Sequence, residues 1–426
     1  MYQKKILFIF IVLSFLFQSC QAVEPEVIQP VIQTIELKLP TETAKPLPKN
    51  TEVPASPSPT PLPLAVIPQN IGPDPKDIPA GYNPLTGLPV ENPENLKLPA
   101  ILVSITNFPP SSRPQAGLSF SPWVYEVYIS EGMTRFLAAF YGDFPKLPVS
   151  NNVNITPTQP AAGKDKKNIS ISTTALIGPV RSGRLAYVYV RDFFQSSCLV
   201  YASATVEIRS RLRGCAMVFG SDAADINSAM LNTDRLQKIA EQNQQNNLAF
   251  NYSGSLFTQQ PPANGLPAQQ IDVFYSFLNQ SQWKYDQSNS KYLKFEDFAD
   301  GSGKFQPATD RINGNQLAFS NVIVLYSEHI VLNPYIIDLK MGPGEKGKAI
   351  VFRDGQKFEE YWSTIAGEYE KTTGLRRPLR IVDANGDPFP LKPGQTWVHI
   401  VTPVTQVLDQ GNGLWRLRFF APKGSK

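Results

Sequence analysis

The chain has 426 residues, 42% of them hydrophobic and 11% aromatic, with charged residues at only 18% and a formal net charge of +4. That length allows two or three ordinary domains with a packed, strand-rich core. Charge this sparse, spread over the whole length, excludes the basic stripe of a nucleic-acid binder. Two histidines far apart, His329 and His399, and three cysteines without a Cys-x-x-Cys pair give no zinc signal, and no Asp-x-Asp-x-Asp-Gly calcium loop is present, so neither metal nor cofactor is expected.

Met1–Lys5 is a short basic start, and Ile6–Phe17 is an apolar run of 12 residues, too short for the roughly 20 that a transmembrane helix needs. Cys20 follows directly, so residues 1–20 read as a lipoprotein-type signal peptide with Cys20 as the lipidation site. Phe17 stands where Leu is usual, and plain secretion and an uncleaved anchor are the other readings. The expected location is extracytoplasmic, lipid-anchored on the cell membrane. Residues 21–80 hold 14 prolines, and Thr51–Leu64 is near-pure polyproline chemistry. Such a stretch forms neither helix nor ladder and at ~3.1 Å per residue reaches on the order of 150–190 Å. It reads as a tether, with a Pro-rich ligand for a partner domain as the alternative.

Residues 81–250 read as a mixed α/β domain. Ala100–Thr106 is a buried strand, and Trp123–Ser130 and Thr134–Tyr141 are two strands joined at Glu131-Gly132. Lys146 to about Thr174 is a polar exposed loop, in which Asn154 and Asn168 match glycosylation acceptors by chance. A helix is predicted from Ser182 to about Gln195, then strand Leu199–Ser203, helix Thr205–Arg213 and strand Cys215–Phe219. That spacing suits a parallel crossover. It would put Cys198 and Cys215 at one end of neighbouring strands, either as a disulfide or as two buried thiols.

Asn251–Gln270 is the boundary, and residues 251–426 read as a mainly antiparallel β domain with turns at Asp354-Gly355 and Asn385-Gly386. The fold class is therefore α+β.

The chemistry concentrates in Val124–Phe140 and Ile177–Arg184. These segments carry Glu126, Glu131, Arg135, Arg181 and Arg184, and Arg113 in the loop before them joins the candidate binding set. Arg181 and Arg184 would be neighbours on one helical face at a helix N-terminus, where cations oppose the dipole and need an anion. Three readings follow: an ion-pair network with Glu126 and Glu131, an anionic ligand gripped by the guanidiniums, or a carboxylate pair for glycan cleavage. Ser281–Lys284 matches Ser-x-x-Lys but lies in strand-rich sequence, which rejects a penicillin-binding-type nucleophile. Gly342–Lys348 lacks the Lys-Ser/Thr ending of a phosphate loop and reads as a turn.

The ordered set Tyr82–Leu88, Arg113–Leu118, Val124–Phe136, Ile177–Arg184, Gly347–Gly355 and Leu391–Trp397 resembles the YerB-like lipoproteins, over most of residues 82–402. The resemblance implies a lipoprotein with an N-terminal α/β and a C-terminal mainly β domain, and brings no activity. The chain departs from the pattern at Tyr201–Thr205, where a His-His-Gly-Gly-Ser-like segment is expected, and at Pro122, where an Asp is expected. The functional expectation is a membrane-tethered binding or scaffold module for a cell-envelope component or protein partner, rather than an enzyme. The alternative is an envelope hydrolase using Glu126 and Glu131.

Overall fold

The computed structural model describes residues 69–148, 174–220, 225–245 and 249–426. The expected signal peptide, Cys20, most of the tether, Asn154 and Asn168 lie outside these residues. Residues 70–71, expected in the tether, are strand: Asn70–Ile71 pairs antiparallel with Leu256–Thr258, and Ile71 is buried. The proline count of the preceding stretch hid this short apolar anchor.

An eleven-stranded mixed sheet forms the middle of the molecule. Its main strands are β1 (Ile101–Thr106), β2 (Trp123–Ser130), β3 (Met133–Phe140), β4 (Cys198–Tyr201) and β5 (Gly214–Met217). A second, seven-stranded sheet includes β6 (Gln270–Ser276), β7 (Asn279–Asp286) and β8 (Lys291–Asp297). The chain then returns to the first sheet with β9 (Asn321–Tyr326), β10 (Lys346–Arg353), β11 (Gln356–Ser363) and β12 (Thr396–Val401). It ends in the second with β13 (Gln406–Asp409) and β14 (Leu414–Arg418). The large sheet runs β11-β10-β9-β12-β2-β3-β1-β4-β5.

The join between the two halves is β12, which pairs parallel with both β9 and β2. The expected boundary at 250/251 is therefore no division of the core: the described residues form one compact unit. One face of the large sheet, with Val124, Phe136, Val324 and Trp397, packs on Ile271, Trp283 and Leu417 of the second sheet. The other face, with Tyr125, Leu137, Val398 and Ile400, packs on helices α1 (Tyr187–Asp192) and α2 (Val206–Leu212). A third helix, α3 (Thr233–Gln244), buries Leu236, Ile239 and Ala240 in the first of these layers. Covered on both sides, the central strands read as continuous apolar runs instead of alternating ones.

The β4–α2–β5 crossover is parallel, as its spacing predicts, and Cys198 and Cys215 are disulfide-bonded, with Cα atoms 5.5 Å apart. Exchanging both for Ala should lower stability by about 3 kcal/mol in the chain-entropy account. A urea midpoint unchanged in the double variant would rule out that contribution.

Candidate functional site

The expected Glu/Arg cluster is split in two by the large sheet. Glu131 and Gly132 turn the β2–β3 hairpin with φ of 53° and 75°, as a two-residue turn requires. A bulge between Tyr128 and Ser130 then shifts the register, pairing Glu126 with Phe136 and Val127 with Arg135. Opposed residues share a face, so Glu126 points to the second sheet and Arg135 to the helical layer.

On the second-sheet side Glu126 is buried, with 2% exposure. Thr134 Oγ1 donates to its Oε1 at 2.7 Å and Trp397 Nε1 to its Oε2 at 3.2 Å. His399, opposite it on β12, places Nδ1 3.3 Å from Oε2. Trp283 Nε1 donates to His399 Nε2 at 3.1 Å. An indole only donates, so Nε2 accepts from Trp283 while Nδ1 faces the Glu126 carboxylate. The counter-charge is Lys294, buried with its ammonium 5.1, 5.7 and 5.9 Å from the Trp397, Phe136 and Trp283 rings. Burial alone would raise the Glu126 carboxyl; His399, Lys294 and Thr134 outweigh it and hold the group below the usual carboxylate range. Burial pushes the Lys294 amine down, against the pull of Glu126.

Arg113 belongs to this inter-sheet network. It lies 3.5 Å from Glu296 and 3.3 Å from Asp297, all with side chains at most 5% exposed. It reaches Glu126 only through Asn107 and Thr134: Arg113 Nε donates to Asn107 O at 3.3 Å, and Asn107 Nδ2 to Thr134 Oγ1 at 2.8 Å. Glu131 is exposed in its turn, 4.0 Å from Lys426 Nζ. The two glutamates therefore face no common cleft. Among the described residues, no cluster of three His, Cys, Asp or Glu could hold a metal ion.

Arg135, Arg181 and Arg184 come together on the opposite face. The predicted helix from Ser182 starts only at Tyr187. Residues 181–183 are held extended instead: Arg181 N donates to Ser104 O, Ala202 N to Arg181 O, and Gly183 N to Ser203 O. Backbone partners on both sides outcompete the local helical pattern. The arginines thus sit at the carboxyl ends of the parallel strands β1 and β4, where α/β sheets place their ligands. The Tyr201–Thr205 segment is their immediate neighbour.

Their visible partners are neutral. Arg135 Nη1 donates to Ser182 O at 2.8 Å, Arg181 Nε to Thr106 Oγ1 and Nη2 to Phe108 O, both at 3.2 Å, and Arg184 Nη1 to Gly183 O at 3.1 Å. No carboxylate acts on any of the three among the described residues. Burial, then Arg184 and Arg181, push the Arg135 guanidinium down to about 9, which still leaves it charged at neutral pH. Burial and Arg184 lower Arg181, and burial lowers Arg184. One buried cation, Arg135, and two partly buried ones, Arg181 and Arg184, repel one another here.

Residues 85–150 match the N-terminal domain, and residues 271–398 the C-terminal domain, of the family described as protein of unknown function (DUF3048). The crystal structure of the YerB protein from Bacillus subtilis is similar, with 22% identity and a TM-score of 0.53 over 75% of this chain and 96% of that one. At that identity the likeness shows the fold alone. No curated protein matches the chain significantly.

Proposed function

The chain belongs to the YerB-like family of proteins of unknown function, and we propose that it is a lipid-anchored, extracytoplasmic binding module that takes an anionic cell-envelope component at Arg135, Arg181 and Arg184. The observation that carries this reading is three clustered guanidiniums with no carboxylate acting on them among the described residues. A bound anion with two or more oxygens satisfies guanidinium donors that the neutral partners leave over. The tether and anchor rest on the basic start, the apolar run, Cys20 and the proline-rich segment. Among the described residues no helix is long and apolar enough to cross a membrane.

The test is thermal unfolding of the full-length protein in phosphate or sulfate against chloride at equal ionic strength. Phosphate and sulfate should raise the midpoint by several degrees, as ligands of the native state do. Arg184→Gln should abolish that rise. Without the anions the variant should be as stable as the parent or more so, by up to about 1 kcal/mol, because a repulsive charge is gone. A variant that is less stable and keeps its anion response would sink the reading.

A further inference from the structure

A cavity away from the arginine cluster has the form of a small-molecule site. It occupies about 230 Å³ between the end of α1, the loop at 341–343 and the segment 364–380. That last segment contains a short helix, α4 (Glu368–Thr373). Its walls are largely apolar: Tyr189, Phe193, Met341, Pro343, Leu375 and Pro378. Gly342 shapes one wall, since a Cβ there would stand 3.3 Å from the Tyr189 ring.

Charged groups converge on the opposite side. Glu370 accepts from Arg377 Nε at 2.6 Å and Nη2 at 3.2 Å, and from Arg380 Nη1 at 3.2 and 3.3 Å. Burial would raise the Glu370 carboxyl, but Arg377 and Arg380 bring it down to about 2, so it is ionised at neutral pH. Arg377 Nη1 also lies 3.5 Å from Asp74 Oδ1, so two carboxylates balance the two guanidiniums on this side. Asp192, also in the lining, is taken up by Arg191. Arg376 adds a further charge at the rim, where it is exposed and its backbone N–H donates to Gln195 Oε1. An apolar pocket with a few convergent polar groups is the usual form of a ligand site.

We propose that this cavity binds a small molecule with an apolar, ring-sized body and a single anionic group, the body against Tyr189, Phe193, Met341 and Leu375 and the anion toward Arg376. It is a different site from the Arg135–Arg181–Arg184 cluster and stands without it.

The probe is 8-anilinonaphthalene-1-sulfonate, an aromatic body with one sulfonate, titrated into the full-length protein and followed by fluorescence. Saturable binding with a dissociation constant on the order of tens of micromolar is expected for a ligand of that size. Leu375→Trp and Ala366→Phe, two rim substitutions that fill the cavity, should each weaken it by about tenfold or more, with urea midpoints showing that the variants fold. Arg376→Gln, at an exposed position, should weaken it by roughly threefold to tenfold. The uncharged N-phenyl-1-naphthylamine should bind more weakly and be indifferent to Arg376→Gln. Arg181→Gln/Arg184→Gln should leave the titration unchanged, which separates this site from the first. Absence of saturable binding, or binding retained in both filled variants, overturns the site. Indifference of the sulfonate probe to Arg376→Gln overturns the anionic class.

Discussion

Lys294→Met should cost the protein about 3–5 kcal/mol, and Glu126→Gln a similar amount, while the double variant should lose much less than the sum. Lys294 is buried among Phe136, Trp283 and Trp397, and the Glu126 charge pulls on it more strongly than that of any other group. His399 supports the carboxylate from within the same layer, with Nδ1 3.3 Å from Oε2 and Nε2 accepting from Trp283. Removing the ammonium takes away the lysine charge facing the buried carboxylate; removing the carboxylate leaves a buried ammonium in an aromatic cage. Glu126→Gln also turns an amide N–H₂ toward Trp397 and His399, which is a second cost. The charge part cancels when both are changed, so a double-mutant cycle in urea should give a coupling of about 3 kcal/mol. Additive losses would show that the two do not pair across the sheets. A coupling of that size would make the Glu126 layer the fastener between the two sheets, leaving ligand chemistry to the opposite face.

The strand pattern of this fold was legible because both β2 and β3 announce themselves by length, apolar content and a two-residue turn. The sidedness of their charges was not. A regular two-residue hairpin opposes Arg135 to Tyr128, on the Glu126 face; the bulge after Tyr128 moves it opposite Val127 and onto the other side. A one-residue irregularity with no marked residue type decided whether Glu126 and Arg135 are partners. The segment Ile177–Arg184 shows its arginines in the sequence, but its conformation is set by Ser104, Ala202 and Ser203, which no local periodicity reports. Lys294 and His399 were missed as partners of Glu126 because the pairing is tertiary, 168 and 273 positions along the chain. Trp397 and His399 alternate on β12 and so share a face, which was a readable signal; the parallel register that sets His399 against Glu126 was not.

Acidification from pH 7 to pH 4 should remove about 3 kcal/mol of stability through His329 alone. The Nδ1 of this ring lies 2.9 Å from Ser327 O, so the proton sits there, and Nε2 is buried with no partner among the described residues. A second proton would create a buried charge and an unsatisfied N–H together. Burial, opposed only by the Ser327 carbonyl, brings the ring down from 6.5 to about 4. Above 6.5 the ring is neutral in both folded and unfolded chains, and its contribution is fully present. Between 6.5 and 4 the unfolded chain takes up a proton that the native state refuses, so stability falls as pH falls. Below 4 both states are protonated and the loss levels off. His329→Gln keeps a donor for Ser327 O and removes the titration, so the stability difference between parent and variant should shrink by about 3 kcal/mol between pH 7 and pH 4. Urea unfolding of the two proteins across that window decides it: curves that stay parallel mean that His329 takes up its proton without penalty, and that acid sensitivity resides in the carboxylates instead.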